Sequence, residues 1–159
     1  MPRKKTKSLV RTITPDRMYD SISLQKFINR VMLDGKKQIA EKLVYSGIEK
    51  AAKKLKVDNP IEVFETAYRN IQPHMETRSR RVGGANYQIP FEVKGQRQQH
   101  LTIMWLTQAA RAKKGMSMED RIANELVDAF NNTGTAVRKK EETHKMAESN
   151  RAFAHFARY

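Results

Sequence analysis

Arg78, Arg80 and Arg81 fall within a run of four residues, and Gly83-Gly84 follows almost at once. Guanidinium groups at this density grip phosphate oxygens two at a time and stack on unpaired bases, which ammonium groups do less well. A second set of cations, Arg3, Lys4, Lys5, Lys7, Arg11 and Arg17, crowds the amino terminus, where apolar periodicity is too thin to fold alone. Basic arms of this kind thread into nucleic acid. Residues 1–17 therefore read as a flexible basic arm, and 18–159 as one helical RNA-binding domain. Since the arm has no core residues, its removal is expected to leave melting nearly unchanged.

Catalytic chemistry finds no comparable set. His74, His100, His144 and His155 are scattered, without metal-ligand spacing, and the nearest approach to an acid–base cluster is Glu141-Glu142 beside His144. A solvated helix face explains that run better. Gly83-Gly84 lacks both the Lys-Ser/Thr ending and the strand-to-helix setting of a phosphate loop. The sequence thus predicts no enzyme, no cofactor and no metal. With no cysteine there is no disulfide framework, which is compatible with a reducing compartment. No apolar run approaches a membrane span or a signal core, so a soluble, unexported protein without a membrane partner is expected.

Charge supports the same chemistry. The 159 residues carry 31 Lys and Arg against 17 Asp and Glu, a net +14. Segments 1–17, 18–72, 73–97 and 98–159 contribute +5, +3, +3 and +3, so no single tail accounts for the excess. A basic surface spread over a folded body suits a large polyanion better than a small acidic ligand.

The elements that must carry these residues are mostly helical. Residues 74–93 are the exception: two runs with strand-like alternation flank the Gly-Gly turn, which gives a β-hairpin. If Gly83 and Gly84 alone make the turn, Tyr87 and Ile89 face Arg80 and Arg78. A three-residue loop that adds Ala85 instead sets Ser79, Thr77 and Met75 against Ile89, Phe91 and Val93. The second register is expected because it gathers one face that can be buried, with a Glu76–Glu92 pair on the solvated side. Pro90 suits a ribbon with free edges. The hairpin root must pack on helices, while the Arg-rich tip projects without a structural duty.

Ser21 or Ser23 caps a first helix whose Leu24, Phe27, Ile28 and Val31 form one buried face, and Asp34-Gly35 ends it. Lys36-Lys37 opens a second helix to about Leu55, with Ile39, Ala40, Leu43, Val44, Ile48, Ala51 and Leu55 inward. Asn59-Pro60-Ile61-Glu62 starts a third, with a capping box, that stops before Pro73. Beyond Gly95 a fourth helix places Leu101, Trp105, Leu106 and Ala109 inward, and Gly115 closes it. Ser117 with Asp120 starts a fifth. The sixth, about Thr135 to Asn150, is mostly polar and belongs on the outside of the bundle. Phe153 and Phe156 follow without helical protection, which suggests docking on the body, on RNA or on a neighbouring protein. The fold expected is a mainly α, single-domain bundle of about six helices, with an extended two-stranded hairpin between the third and fourth.

Four stretches, in order, give the chain a close resemblance to the bacterial-type family of the seventh protein of the small ribosomal subunit. They are Asp34-Gly35-Lys36-Lys37, the run Arg78 to Pro90, Gly134-Thr135-Ala136-Val137-Arg138-Lys139-Lys140, and Met146 to His155. The resemblance implies a protein that binds the 3′ major domain of 16S ribosomal RNA and nucleates assembly of the subunit head. It also implies a ribbon near the exit-site transfer RNA at the subunit interface, and contacts with neighbouring head and platform proteins. Some members repress translation of their own messenger RNA. By position, Arg3, Lys4, Lys5, Lys7 and Arg11 fall in the RNA-gripping arm, Lys36 and Lys37 in a helix-connecting loop, and Arg78, Arg80 and Arg81 in the ribbon. Arg97 matches the basic start of the fourth helix, where this chain has Gly95-Gln96 and relatives can be more basic. Arg111, Lys113 and Lys114 are placed with the RNA contacts, and Val82, Gly83 and Gly84 with Arg78, Arg80 and Arg81 beside transfer RNA. The resemblance further implies a cytoplasmic ribosome, an organellar one being the other option. A helix-turn-helix DNA-binding regulator is the alternative function, and a metal-dependent nuclease a more distant one.

Overall fold

Ser21 accepts a hydrogen bond from the Leu24 amide through its hydroxyl, and Ser117 does the same for Asp120; both serines have extended backbones just ahead of a helix. The computed structural model describes residues 12–158. Within them α1 (Ile22–Val31), α2 (Lys37–Leu55), α3 (Pro60–Ile71), α4 (Gly95–Ala112), α5 (Met118–Phe130) and α6 (Gly134–Ser149) form a bundle. Strands β1 (Met75–Val82) and β2 (Ala85–Glu92) stand between α3 and α4, and a 3-10 helix, Arg151–Arg158, ends the description. The mainly α bundle with an inserted hairpin is the architecture expected from periodicity.

Apolar residues three and four apart supply the core. Leu24, Phe27 and Ile28 of α1, Val44, Ile48 and Ala51 of α2, and Phe64, Ala67 and Ile71 of α3 are fully buried. Leu106 of α4 and Ile122, Ala123 and Leu126 of α5 meet them. Phe27, Phe64 and Tyr68 form a continuous aromatic run with centroids 5.8 Å apart at each step. Helices α2 and α5 pack tightly at Gly47, where a Cβ would lie 2.9 Å from the Ile122 Cγ2; a side chain there would push the helices apart. Ile39, expected inside, is 55% exposed. Asn59 makes no side-chain cap to α3, and Glu62 bonds to it through the backbone instead, so the capping box does not form.

The hairpin register differs from the one expected. Val82 pairs with Ala85, Arg80 with Tyr87, Arg78 with Ile89 and Glu76 with Phe91. Gly83 and Gly84 alone make the turn, at φ +57° and +92°, the positive pair that a two-residue turn matching the strand twist requires. Turn chemistry outweighs the tidier apolar face. Ile89 is still fully buried, while Met75 pairs with Glu92 and the Glu76–Glu92 pairing does not occur.

Two late elements hold this ribbon. Helix α6 runs against β1: Thr77 Oγ1 donates to the Met146 sulfur at 3.3 Å, and the His74 amide donates to His144 Nε2 at 3.0 Å. The 3-10 helix covers β2, with Tyr87 5.1 Å from the Phe153 ring and 5.3 Å from Phe156. The carboxy-terminal aromatics thus dock on the molecule's own hairpin. Helix α6 is not merely peripheral, since Ala136, Val137 and Ala147 are buried.

His144 makes the α6 contact sensitive to pH. Burial, then the charges of Lys140 and His74, hold its pKa below the ordinary histidine value. A depressed folded pKa means that the contact stabilises fully above about pH 6.5 and is lost as pH falls through the lower folded value. Amide exchange at His74, corrected for its intrinsic rate, is expected to quicken on acidification from about pH 7 to pH 5. A His144→Ala variant should lack that response.

Candidate nucleic-acid interface

Glu76 sits at the hairpin root with its side chain only 7% exposed, between two arginines. Arg78, two residues on along β1 and therefore on the same strand face, reaches its Oε1 through Nε at 2.6 Å and through Nη2 at 2.5 Å. Arg97, in the first turn of α4, reaches Oε2 through Nε at 3.0 Å and Nη2 at 2.9 Å. Burial alone would raise the carboxyl pKa; hydrogen bonds from Arg97 and Arg78 outweigh it and hold Glu76 below the usual range. The hairpin is tied to α4 further by Gln98 Nε2 donating to the Pro73 carbonyl, and closed at its base by the Val93 amide donating to His74. Arg78, expected to project freely, therefore has a structural duty as well as an exposed one.

Beyond Arg97 the edge between α1 and α4 opens into a groove of about 600 Å³, lined by Lys26, Asn29, Arg30, Gln99 and His100 over Ile22 and Ile103. Among the described residues no acidic side chain lines it. Lys26 donates to Gln99 across the groove, and Arg111 donates to the carbonyls of Arg30 and Val31 at 3.3 and 3.5 Å, capping the end of α1. Lys26 and Arg30 are not among the cations that the sequence marks out. Their signal is the four-residue step from Lys26 to Arg30, a basic stripe alongside the apolar one.

The remaining candidates divide. Arg81 is exposed near the turn, opposite Asn86, and Arg80 Nη1 lies 3.5 Å from the Phe156 carbonyl. Val82 is half-buried, and among the described residues nothing beyond the adjoining chain stands within 4 Å of where a Cβ would sit on Gly83 or Gly84. Lys36 precedes α2 and Lys37 begins it, both exposed, on a different connection from the groove; Lys37 lies 3.7 Å from Glu41. Lys114 is exposed. Lys113 is not a free cation: its ammonium lies 3.0 Å from Glu125, which is fully buried, and 2.8 Å from Asp128. Burial lowers its pKa, but the hydrogen bonds to Asp128 and Glu125 prevail and raise it. Arg3, Lys4, Lys5, Lys7 and Arg11 lie outside the described residues.

Asp16 corrects the extent of the arm. It is 4% exposed, and its carboxylate accepts the amides of Met18, Tyr19 and Ser21 at 3.0, 2.9 and 2.8 Å and the Tyr45 hydroxyl at 3.3 Å. The chain is anchored before residue 17.

His144 is engaged with the His74 amide and Glu142 with Lys139, so neither forms an acid–base cluster with the other. Among the described residues no three His, Asp or Glu gather as metal ligands, and no helix is long and apolar enough to cross a membrane.

Residues 2–151 match the family model described as ribosomal protein S7p/S5e. Three curated relatives, each named small ribosomal subunit protein uS7, are similar over nearly their whole length. That of Pelagibacter ubique is 54% identical over 98% of this chain and 99% of its own. That of Petrotoga mobilis is 53% identical over 92% and 94%, and that of Thermosipho africanus 50% over 96% and 98%. An Arg-tipped hairpin on a basic helical bundle, a family match across nearly all of the chain and identity of one half or more agree: this chain belongs to the S7p/S5e family of ribosomal proteins, a family without enzymatic activity.

Proposed function

We propose that the chain is a structural RNA-binding protein of the small ribosomal subunit, acting by phosphate neutralisation and not by catalysis. The observation that carries this reading is the line of Lys26, Arg30 and Arg111 along the α1–α4 edge together with Arg97 in the first turn of α4 and Arg78 on β1, in a chain similar throughout to small-subunit proteins. Each cation placed on a phosphate releases condensed counterions, so affinity falls steeply with salt. Irregular, structured RNA suits this surface, because a groove, a ribbon and a basic arm approach it from separate elements.

The finer placement follows the resemblance. The RNA is the 3′ major domain of 16S ribosomal RNA, and binding nucleates the subunit head. The residues in contact are the arm cations Arg3, Lys4, Lys5, Lys7 and Arg11, with Lys36, Lys37, Arg97, Arg111 and Lys114. The tip, Arg78 to Gly84, lies beside exit-site transfer RNA, with head and platform proteins as neighbours and the chain's own messenger RNA as a further ligand. The location is the ribosome of a cytoplasm.

Chemical footprinting on small-subunit ribosomal RNA, with random duplex DNA as competitor, tests the reading. Protection confined to the ribosomal RNA is expected; equal affinity for both at moderate salt would sink it. Replacing Arg80 and Arg81 together by Ala should leave the melting temperature unchanged and reduce the slope of log affinity against log salt by about 1.5. Arg78 is kept in that variant because Glu76 depends on it. An unaltered slope would mean that the tip is only a charged edge.

A further inference from the structure

We propose that Glu76 is a positioning residue, which locks Arg78 and Arg97 into one two-guanidinium site for a phosphodiester at the junction of hairpin and helical body. This rests on the reading that the chain binds RNA. A buried carboxylate in the middle of a basic surface needs an account, since its charge opposes the polyanion the surface attracts. The geometry supplies one. Each guanidinium spends Nε and Nη2 on a separate oxygen of Glu76, which leaves Nη1 and the outer Nη2 proton of both free. Neither has another hydrogen-bond partner among the described residues, and the two side chains remain 56% and 50% exposed. The Arg78 guanidinium also lies over the Phe91 ring, 5.4 Å from its centroid, which fixes its plane.

Three charges in the cluster sum to one positive, and the negative one is covered. Outward remain two planar forks whose rotamers are already set, the donor pattern that phosphate oxygens accept in pairs. Two flexible arginines would lose side-chain entropy on binding; here much of that loss has occurred on folding. The site also spans β1 and α4, so a phosphate held there would fix the direction of the ribbon relative to the bundle.

The test separates position from charge by sign. Glu76→Gln keeps the shape and adds one unit of net positive charge; if Glu76 were only a counter-charge, RNA affinity would rise. As a positioning residue its loss lowers affinity, by about tenfold. The probe is a fragment of small-subunit ribosomal RNA spanning the 3′ major domain, titrated by the full chain over a range of salt. In an Arg78→Ala, Arg97→Ala background, Glu76→Gln should have no further effect. Arg97→Lys retains the charge but not the fork, and should weaken binding several-fold at an unchanged salt slope, which covers the case in which Glu76→Gln loosens the hairpin. Tighter or equal binding by Glu76→Gln, an undiminished effect in the double-alanine background, or wild-type affinity in Arg97→Lys overturns the proposal. Failure of the unaltered chain to prefer this RNA over duplex DNA overturns the RNA reading itself, before any variant is compared.

Discussion

Replacing Lys113 by Ala lowers the stability of the folded chain by about 3 kcal/mol and its melting temperature by roughly 6–12 °C. Glu125 has no exposure, its Oε1 accepts the Ala136 amide at 2.9 Å in the first turn of α6, and Lys113 is the cation beside its Oε2. Without the ammonium a carboxylate is left in the interior, a larger loss than that of the pair as a whole. The figure lies at the low end of the range for buried pairs because the Lys113 side chain keeps 23% of its surface exposed. The companion change, Glu125→Gln on top of Lys113→Ala, should recover part of the loss. Calorimetry together with an RNA titration decides the role of the residue. A variant that melts with the wild type yet binds RNA weakly would make Lys113 an RNA contact after all.

Deleting residues 1–11 has the second large effect, and on a different quantity. It removes five cations, Arg3, Lys4, Lys5, Lys7 and Arg11, and if each meets a phosphate the salt slope falls by about four while melting stays the same. Carrying the deletion on to residue 17 adds a different loss. Asp16 goes with it, and the Met18, Tyr19 and Ser21 amides and the Tyr45 hydroxyl lose their acceptor. That longer deletion is expected to cost about 1–3 kcal/mol of stability. Two truncations measured by thermal melting and salt titration thus separate arm from anchor. Equal melting of both would show that Asp16 is dispensable, and an unchanged slope in the shorter would leave the arm no part in binding.

Helices were legible because their signals are local. Ser21, Ser117, Pro60 and the apolar spacing of Leu24, Phe27, Ile28 and Val31 act within one turn or two. The hairpin was legible as an element and not in its register. A rule about burying one face favoured a three-residue loop, whereas two positive-φ glycines fix a two-residue turn, and Arg78 and Arg97 remove the penalty on Glu76 by covering it. Lys113 stands in a basic run, which by sequence alone groups it with the RNA contacts. Its partners Glu125 and Asp128 belong to the next helix, and only the α4–α5 turn brings them together. Asp16 was hidden in the same way inside a segment whose charge described it well and whose hydrogen bonds did not. Arg78, Arg80 and Arg81 were found by composition; the groove of Lys26 and Arg30 needed α4 to be laid beside α1 before it existed.

The supports of the ribbon also set a schedule for biogenesis. The strands are translated well before their props: His144 follows His74 by 70 residues, and Phe156 follows Arg80 by 76. A nascent chain that has released both strands holds a two-stranded hairpin, which is marginal by itself in water. Completion waits for the final segment to clear the exit tunnel. The tip therefore acquires its full support only after α6 and the 3-10 helix have been made, and a chain truncated after α5 would keep the α4 ties at the hairpin root but carry Arg80 and Arg81 on a ribbon without its outer props.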